Sequence, residues 1–374
     1  MRTPGEASGQ IDTYDKILPY TEGFIMHMAD ALLSPPVAAT MAAASGAAAV
    51  YSISKVRKEN QSEKIPVMAV SAALVFAGQM INYTIPGTGS SGHLCGGMLL
   101  SALLGPEAGF LSMIIVLAVQ CLFFADGGLM ALGANIWNMA FYGCFIGTYL
   151  IWLPIMKSSL FSGMGEKAGT RAKIILASVL GCVLTLQLGA FSVVLETTAS
   201  GIGELPFGAF AGLMLPIHLA IGLVEGMITA AVLCFVYETR PELIRGIRKE
   251  TGSSKFSLKQ VLACLGALAL VTGGLFSLFA SSHPDGLEWA LFGNSDAGYA
   301  SNMALDEENF GTQSSAADTA ASIQESTSFL PDYAFKNSDS AAGTTVSGLV
   351  GCGIVAAAAI GVSAAGNFFR RKTS

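Results

Sequence analysis

The sequence contains little charge. Only 12% of its 374 residues are charged and 52% are hydrophobic, whereas a soluble domain carries roughly 25% charged residues. Its mean hydropathy is +0.57. This deficit excludes an ordinary soluble domain and predicts a polytopic membrane protein. The alternation of polar and apolar residues that is typical of membrane barrels is also absent, so the predicted fold is all-α.

The sequence also lacks the motifs of several function classes. It contains no GxxxxGK[ST] loop for nucleotide phosphates, no GxSxG elbow and no HExxH zinc motif. We therefore expect a protein that is not an enzyme and does not hydrolyse ATP itself. None of the seven cysteines forms a CxxC pair, which favours packing over disulfides or zinc binding. Residues 1–25 lack the apolar core of a secretory signal peptide.

What the sequence does contain is a series of nine apolar runs. They fall at about 35–54, 66–82, 93–105, 107–125, 129–155, 173–195, 207–237, 260–281 and 346–368. Most approach or exceed the roughly 20 residues that a helix needs to cross the hydrocarbon core. The third run is short and bounded by glycine and proline, which predicts a tilted or partly re-entrant helix. We expect a bundle of about seven helices followed by a two-helix module.

Basic residues are concentrated in alternate connecting segments. Segments 55–64, 156–173, 238–259 and 369–374 hold 17 of the 20 Lys and Arg residues. By the positive-inside rule these segments face the cytoplasm. The C-terminus is then cytoplasmic, whereas the loops that contain His27 and His93 both face outward. This orientation follows from the loop charges alone and does not use the histidines.

The chain divides into four segments by composition. Residues 1–25 form a polar extension, 26–240 the main membrane domain, 241–259 a basic cytoplasmic linker and 260–374 a two-span module. The external loop 282–345 of that module carries ten acidic residues and one lysine, a net charge of −9. Its low apolar content predicts that the loop is largely disordered.

Two of the only four histidines lie beside apolar runs, His27 ahead of the first and His93 at the start of the third. Imidazole nitrogen suits nickel, cobalt, copper and zinc, so the pair is a candidate metal site. If Met26 were the first residue, its amine, the His27 amide and His27 Nδ1 could chelate one ion, with His93 completing a square plane. The alternative is that both are polar residues at the membrane interface.

Several other polar residues are candidates for supporting that site. Asp30 fits two roles, either hydrogen-bonding a metal-bound imidazole or capping a turn. The pairs Gln79 and Asn82, and Asn135 and Asn138, each share one helix face, and we expect them to support the site rather than bind the ion. A further ionisable pair shares a face of the seventh run and fits a structural role equally well; it consists of His218 and Glu225.

Short motifs along residues 26–240 resemble the CbiM/NikM family. The first runs from Met26 to Pro35 as MHMADALLSP. The others are FAGQMIN at 76–82, GSSGHLCGG at 89–97, LGP at 104–106, FADGGL at 124–129, ALGANIWNM at 131–139 and the stretch from His218 to Ala230. The sequence PDGLE at 284–288 resembles the PDGLE accessory component that is often fused to this family.

This resemblance implies the membrane subunit of an energy-coupling-factor transporter, which captures Ni²⁺ or Co²⁺ as its cargo in a prokaryotic inner membrane. It implies metal ligation by the Met26 amine, His27 and His93. Here 25 residues precede Met26, and we expect translation to begin at Met26. The expected partners are a transmembrane coupling subunit, ATPase subunits and membrane lipid, with no nucleic acid and no resident cofactor. The alternative is a carrier or channel driven by an ion gradient.

Overall fold

A computed structural model describes residues 27–59, 64–247, 256–295, 297–298, 311–336, 338 and 340–371. The predicted extension 1–25 and the predicted ligand Met26 lie outside this described part. Each of the nine predicted apolar runs contains a helix. These helices are α1 (Pro35–Glu59), α2 (Ile65–Gln79), α3 (Gly97–Leu104), α4 (Pro106–Phe124), α5 (Leu132–Lys157), α6 (Glu166–Ala199), α7 (Phe207–Thr239), α8 (Leu258–Gly274) and α11 (Ala342–Arg371).

Six helices of the described chain are long and apolar enough to cross a membrane, and they are α1, α4, α5, α6, α7 and the first 21 residues of α11. Helices α2 and α8 are shorter but apolar, and α3 has only 8 residues. The middle of α5, Ile136–Trp152, is wound as a π-helix. These observations confirm the all-α membrane fold predicted from the apolar runs.

Glycine and proline determine where the short helix α3 begins and ends. Gly96 precedes it with φ of 86°, and Gly105 follows it with φ of 90°, a backbone conformation that side-chain-bearing residues rarely adopt. Pro106 then opens α4, where its missing N–H has no partner to lose. The chain therefore turns sharply between two apolar helices, and α3 packs against both α4 and α5.

A two-stranded hairpin connects α2 to α3. Strand β1 (Tyr83–Ile85) pairs antiparallel with β2 (Ser90–Gly92), and Tyr83 lies opposite Gly92. The residue after β2 is His93. The hairpin thus places one predicted metal ligand directly after a backbone segment that is fixed by hydrogen bonds.

The C-terminal module packs against the main bundle through α8 and α11. Both helices contact α2, and α11 also contacts α4. Where α8 crosses α11 the backbones touch, because a Cβ placed on Gly348 would lie 1.9 Å from the Gly273 carbonyl oxygen. Small residues at helix crossings allow such close approach in membranes.

The expectation that loop 282–345 is largely disordered is wrong for the part that the structure describes. This part contains α9 (Gly286–Phe292) and α10 (Ser315–Thr327), and it lies against the end of the bundle. The physical reason is that several of its apolar side chains are buried in the fold. They are Leu287, Ala290, Leu291, Ala320, Leu330 and Tyr333.

The crossing of α8 and α11 yields a first prediction. Gly348→Ala should lower the free energy of unfolding by about 1–3 kcal/mol, because the new methyl group overlaps the Gly273 backbone. The control is Gly353→Ala on the same helix, where nothing lies within 4 Å of a new Cβ. Thermal unfolding in detergent checks both variants. Equal melting temperatures for the two variants would contradict the close crossing.

Candidate metal centre

His27 is buried and is held by a carboxylate. The ring is 3% exposed, and its Nδ1 lies 2.6 Å from Oδ1 of Asp126. In the described part of the chain, Nε2 of His27 has no hydrogen-bond partner. A carboxylate on one ring nitrogen fixes the orientation of an imidazole and leaves the other nitrogen for an ion. In this orientation His27 offers Nε2, whereas the chelate predicted from the sequence uses Nδ1.

The turn after α4 brings Asp126 to His27. Ala125 and Gly127 adopt positive φ, at 56° and 78°. A Cβ on Gly127 would lie 2.6 Å from Cβ of His27, so only glycine permits this approach. Asn135 clamps the neighbouring backbone, since its amide accepts from the Met28 N–H at 3.0 Å and donates to the Met28 carbonyl at 3.1 Å.

His93 lies next to His27, with 5.6 Å between the ring centroids. Its Nδ1 donates to the Leu94 carbonyl at 3.1 Å. The following backbone is tied to α7 by Glu225, whose carboxylate accepts from the N–H groups of Cys95 and Gly96 at 2.9 Å each. Glu225 is thus a structural anchor for the segment that carries His93.

The C-terminal module, residues 260–374, is called the accessory region below, and it supplies a carboxylate to His93. Asp285 caps α9 with one oxygen, which accepts from the backbone N–H groups of Leu287 and Glu288 at 2.8 Å. Its other oxygen lies 3.7 Å from His93 Nε2, which is an ion-pair distance and too long for a direct hydrogen bond. The Ser91 N–H donates to the Pro284 carbonyl at 2.7 Å. A backbone hydrogen bond therefore connects the strand before His93 to the accessory region.

Both imidazoles line one cavity of about 100 Å³. Side chains from the main bundle and from the accessory region together form its wall. The lining residues with imidazole, thiol, amide or carboxylate groups are His27, His93, Cys95, Asn135, Asn138, His218 and Asp285. In the described residues no group of three or more His, Cys, Asp or Glu side chains forms a ready-made metal cluster.

The charge on Asp285 alters the titration of His93. Burial alone would lower the pKa of His93, but the Asp285 carboxylate and the Leu94 carbonyl raise it to about 9. The raised pKa favours the protonated ring at neutral pH in the absence of an ion. An arriving cation must therefore replace a proton on His93.

The residues that the sequence predicts to support the site make contacts of different kinds. Asp30 begins a 3₁₀ turn, and its carboxylate accepts from the Ala131 N–H at 2.8 Å rather than from an imidazole. Gln79 donates to the Cys95 carbonyl at 2.8 Å, and Asn138 donates to Glu196 at 2.9 Å. Asn82 is buried, and its backbone carbonyl accepts from Ser281 N–H at 2.7 Å. Asn135 contacts the backbone beside His27, and Asn138 lines the cavity.

Sequence reasoning did not assign roles to three residues of the site. They are Asp126, Asp285 and Tyr333, whose hydroxyl lies 2.5 Å from Asp126 Oδ2. For the two aspartates the sequence did contain a signal. Each is an acidic residue in a loop that the charge distribution assigns to the outer side, where the histidines are also predicted. Tyr333 carried no such signal, because nothing in the sequence links it to a turn 207 residues away.

Comparison with known proteins relates both parts of the chain to metal transport proteins. Residues 27–243 match the family described as the cobalt uptake substrate-specific transmembrane region, CbiM, and residues 259–367 match the PDGLE domain. The chain is 33% identical to a putative fused nickel transport protein NikMN of Archaeoglobus fulgidus, over 89% of this chain and 96% of that protein. It is 31% identical to the cobalt transport protein CbiM of Sorangium cellulosum, over 50% and 80% of the two chains.

A probable fused nickel transport protein gives a third comparison. The probable LarMN protein of Lactiplantibacillus plantarum is 31% identical over 58% of this chain and 66% of its own length. The similarity to the Archaeoglobus protein extends through both matched regions, whereas the cobalt protein is similar to only about half of this chain.

The contact between Asp285 and His93 yields a second prediction. Asp285→Asn should lower the pKa of His93 from about 9, because the amide removes the negative charge that favours the imidazolium and leaves the burial penalty. In the wild type the ring stays charged as the pH rises past 7 and loses its proton near 9. An NMR titration of histidine-labelled, metal-free protein, assigned with a His93→Gln variant, measures both values. An unchanged pKa in Asp285→Asn would show that the carboxylate is not responsible.

Proposed function

Since this chain belongs to the CbiM family of metal-uptake membrane proteins and carries a fused PDGLE domain, we propose that it captures a divalent nickel or cobalt ion as transport cargo at the cavity between His27 and His93. The observation that carries the proposal is the meeting, in one cavity, of the buried His27 ring and the partly buried His93 ring from distant segments. Each ring is beside a carboxylate and is therefore oriented.

The donor set favours a nitrogen-rich shell. His27 Nε2 and His93 Nε2 provide two nitrogens, and the Met26 amine or water is the proposed source of the rest, because the Nε2 lone pair points away from the His27 backbone. Nitrogen ligands suit nickel and cobalt, and a square-planar set leans towards nickel. The similarity to a fused nickel transport protein over most of the chain supports nickel as well. The alternative chelate through Nδ1 of His27 requires the ring to leave Asp126.

The acidic accessory region serves the same capture step. Ten carboxylates within residues 282–345 attract divalent cations and raise their concentration near the entrance, an effect that weakens as salt rises. The basic segments lie at the helix ends that we assign to the cytoplasmic side. The site then faces outward and the C-terminus inward, as the distribution of Lys and Arg indicates.

Removal of one imidazole tests the site. His93→Ala should weaken Ni²⁺ binding by more than about 100-fold. Loss of a residue that only supports a ligand typically weakens metal binding by about 10–100-fold. The matched control is His283→Ala, because His283 contacts Asn294 and does not line the cavity. Calorimetric titration of the purified full chain with Ni²⁺ and with Co²⁺ measures the affinities. Wild-type affinity in His93→Ala would refute the proposed site.

We further propose that separate subunits supply the energy, namely a transmembrane coupling protein and an ATPase. Support comes from the absence of a phosphate-binding loop in the sequence and from the basic segments, which offer a docking surface on the proposed cytoplasmic side. The competing function is a stand-alone carrier driven by an ion gradient.

Reconstitution separates the two functions. In vesicles that contain this chain with its coupling and ATPase subunits, nickel uptake should require ATP and should persist when a protonophore collapses the proton gradient. The chain alone should bind nickel without accumulating it, because its sequence lacks the phosphate-binding loop that would couple uptake to ATP. Accumulation by the chain alone, abolished by the protonophore, would contradict ATP-driven coupling and favour the gradient-driven carrier.

A further inference from the structure

A second cavity, of about 190 Å³, lies where the main bundle meets the accessory region. Helix α7 lines one side of it with Ile228 and Val232, and α8 lines the other side with Leu268. Its floor is formed by α2 and α3, which contribute Val75 and Leu99. Among the described residues, none lines both this cavity and the metal cavity. It is therefore a separate feature of the junction.

The cavity is open on one side, between α7 and α8. The rim residues Ile228 and Leu268 are 38% and 40% exposed. On the floor, Val75 and Leu99 are only 2% and 5% exposed. Roughly 10 Å of α7 follows Val232, and roughly 15 Å of α8 precedes Leu268, at 1.5 Å per residue. At that depth the opening faces the hydrocarbon of the bilayer rather than water.

The wall of the cavity suits an apolar occupant, since most of its residues are aliphatic or glycine. The one charged lining residue is Glu225, whose carboxylate already accepts from the N–H groups of Cys95 and Gly96. The Tyr83 hydroxyl donates to the Ile221 carbonyl at 3.1 Å. Because the carboxylate and the phenol both have partners, a plain hydrocarbon can occupy the space without leaving either of them unpaired.

The size of the cavity selects a lipid chain over a helix. An apolar cavity of about 150 Å³ accepts benzene, so about 190 Å³ accommodates a somewhat longer stretch of hydrocarbon. An α-helix with its side chains is about 10–12 Å across and is too wide to enter. An empty apolar cavity lowers stability, and acyl chains are the apolar molecules that surround the opening.

The segment that connects α7 to α8 favours an anionic headgroup. Residues 238–259 contain six Lys or Arg and three Glu, a net charge of +3. This segment joins the two helices that border the cavity, so its charge lies at the membrane surface from which a lipid chain enters. Basic segments next to membrane-spanning helices attract anionic lipids.

We propose that this cavity is a lipid-binding site, in which one acyl chain of an anionic phospholipid lies between α7 and α8 while its headgroup binds the basic segment 238–259. The acyl chain fills the junction between the main bundle and the accessory region and replaces direct packing of α7 against α8. The proposal does not depend on which atoms bind the transported ion.

Photolabelling distinguishes an acyl chain inside the cavity from the lipid that surrounds every membrane protein. The full chain is reconstituted in vesicles that contain a phosphatidylglycerol with a diazirine near the end of one acyl chain, and labelled residues are identified by mass spectrometry. Surrounding lipid labels exposed positions such as Met227, which is 59% exposed. Only an acyl chain within the cavity reaches the buried floor residues Val75 and Leu99.

Val232→Phe places a larger side chain in the cavity and should exclude the lipid. The matched control is Met227→Phe, which introduces the same ring on α7 at an exposed position that does not line the cavity. Melting temperature and Ni²⁺ affinity are measured to establish that both variants are folded. Should Val232→Phe fold poorly, Leu268→Phe blocks the cavity from the opposite wall and is judged by the same outcomes.

We expect label on the floor residues in the wild type and in Met227→Phe, and loss of that label in Val232→Phe, while Met227 stays labelled in the wild type and in Val232→Phe. A phosphatidylcholine probe of the same chain length should label the floor more weakly than phosphatidylglycerol. An unlabelled floor in the wild type, unchanged floor labelling in Val232→Phe, or equal floor labelling by the two probes would overturn the proposal.

Discussion

The buried contact between Asp126 and His27 is the interaction on which the rest of the site depends. A buried imidazole with no partner would be costly, and a rotating one would be a poor ligand. Asp126 satisfies one ring nitrogen at 2.6 Å and leaves the other without a partner among the described residues. Gly127 allows the turn to approach His27 closely, and Asn135 clamps the backbone of Met28. The local backbone is thus arranged around one ring orientation.

The second imidazole is fixed by a comparable arrangement on another part of the fold. Glu225 anchors the segment after His93 to α7, and Asp285 lies opposite its Nε2. Both histidines therefore depend on a carboxylate, and the accessory region contacts each system, through Asp285 and through Tyr333. This gives a physical reason for joining the accessory domain to the metal-binding bundle in one chain, since the site is built at their junction.

The helices were predictable because apolar runs of membrane-spanning length leave the backbone little alternative to a helix. For His27 and His93, the loop charges predicted only that both lie on the same face of the membrane, and not that their rings are close together. The sequence could indicate the two aspartates only as acidic residues of outward-facing loops. It could not pair them with a particular histidine or find Tyr333, because Asp126 is 99 residues from His27 and Tyr333 is 207 residues from Asp126. The disorder predicted for 282–345 was wrong in its described part. The average composition of a segment does not reveal that a few of its residues, such as Leu287 and Leu330, become buried against the bundle.

The most direct test of the account is X-ray absorption spectroscopy at the nickel edge on the Ni²⁺-loaded full chain. The account predicts a nitrogen-dominated shell with the multiple-scattering pattern of two imidazoles, reduced to one in His93→Ala loaded at high nickel concentration. A shell of oxygen or sulfur donors without an imidazole pattern would contradict it, because the two histidines would then be bystanders to the bound ion.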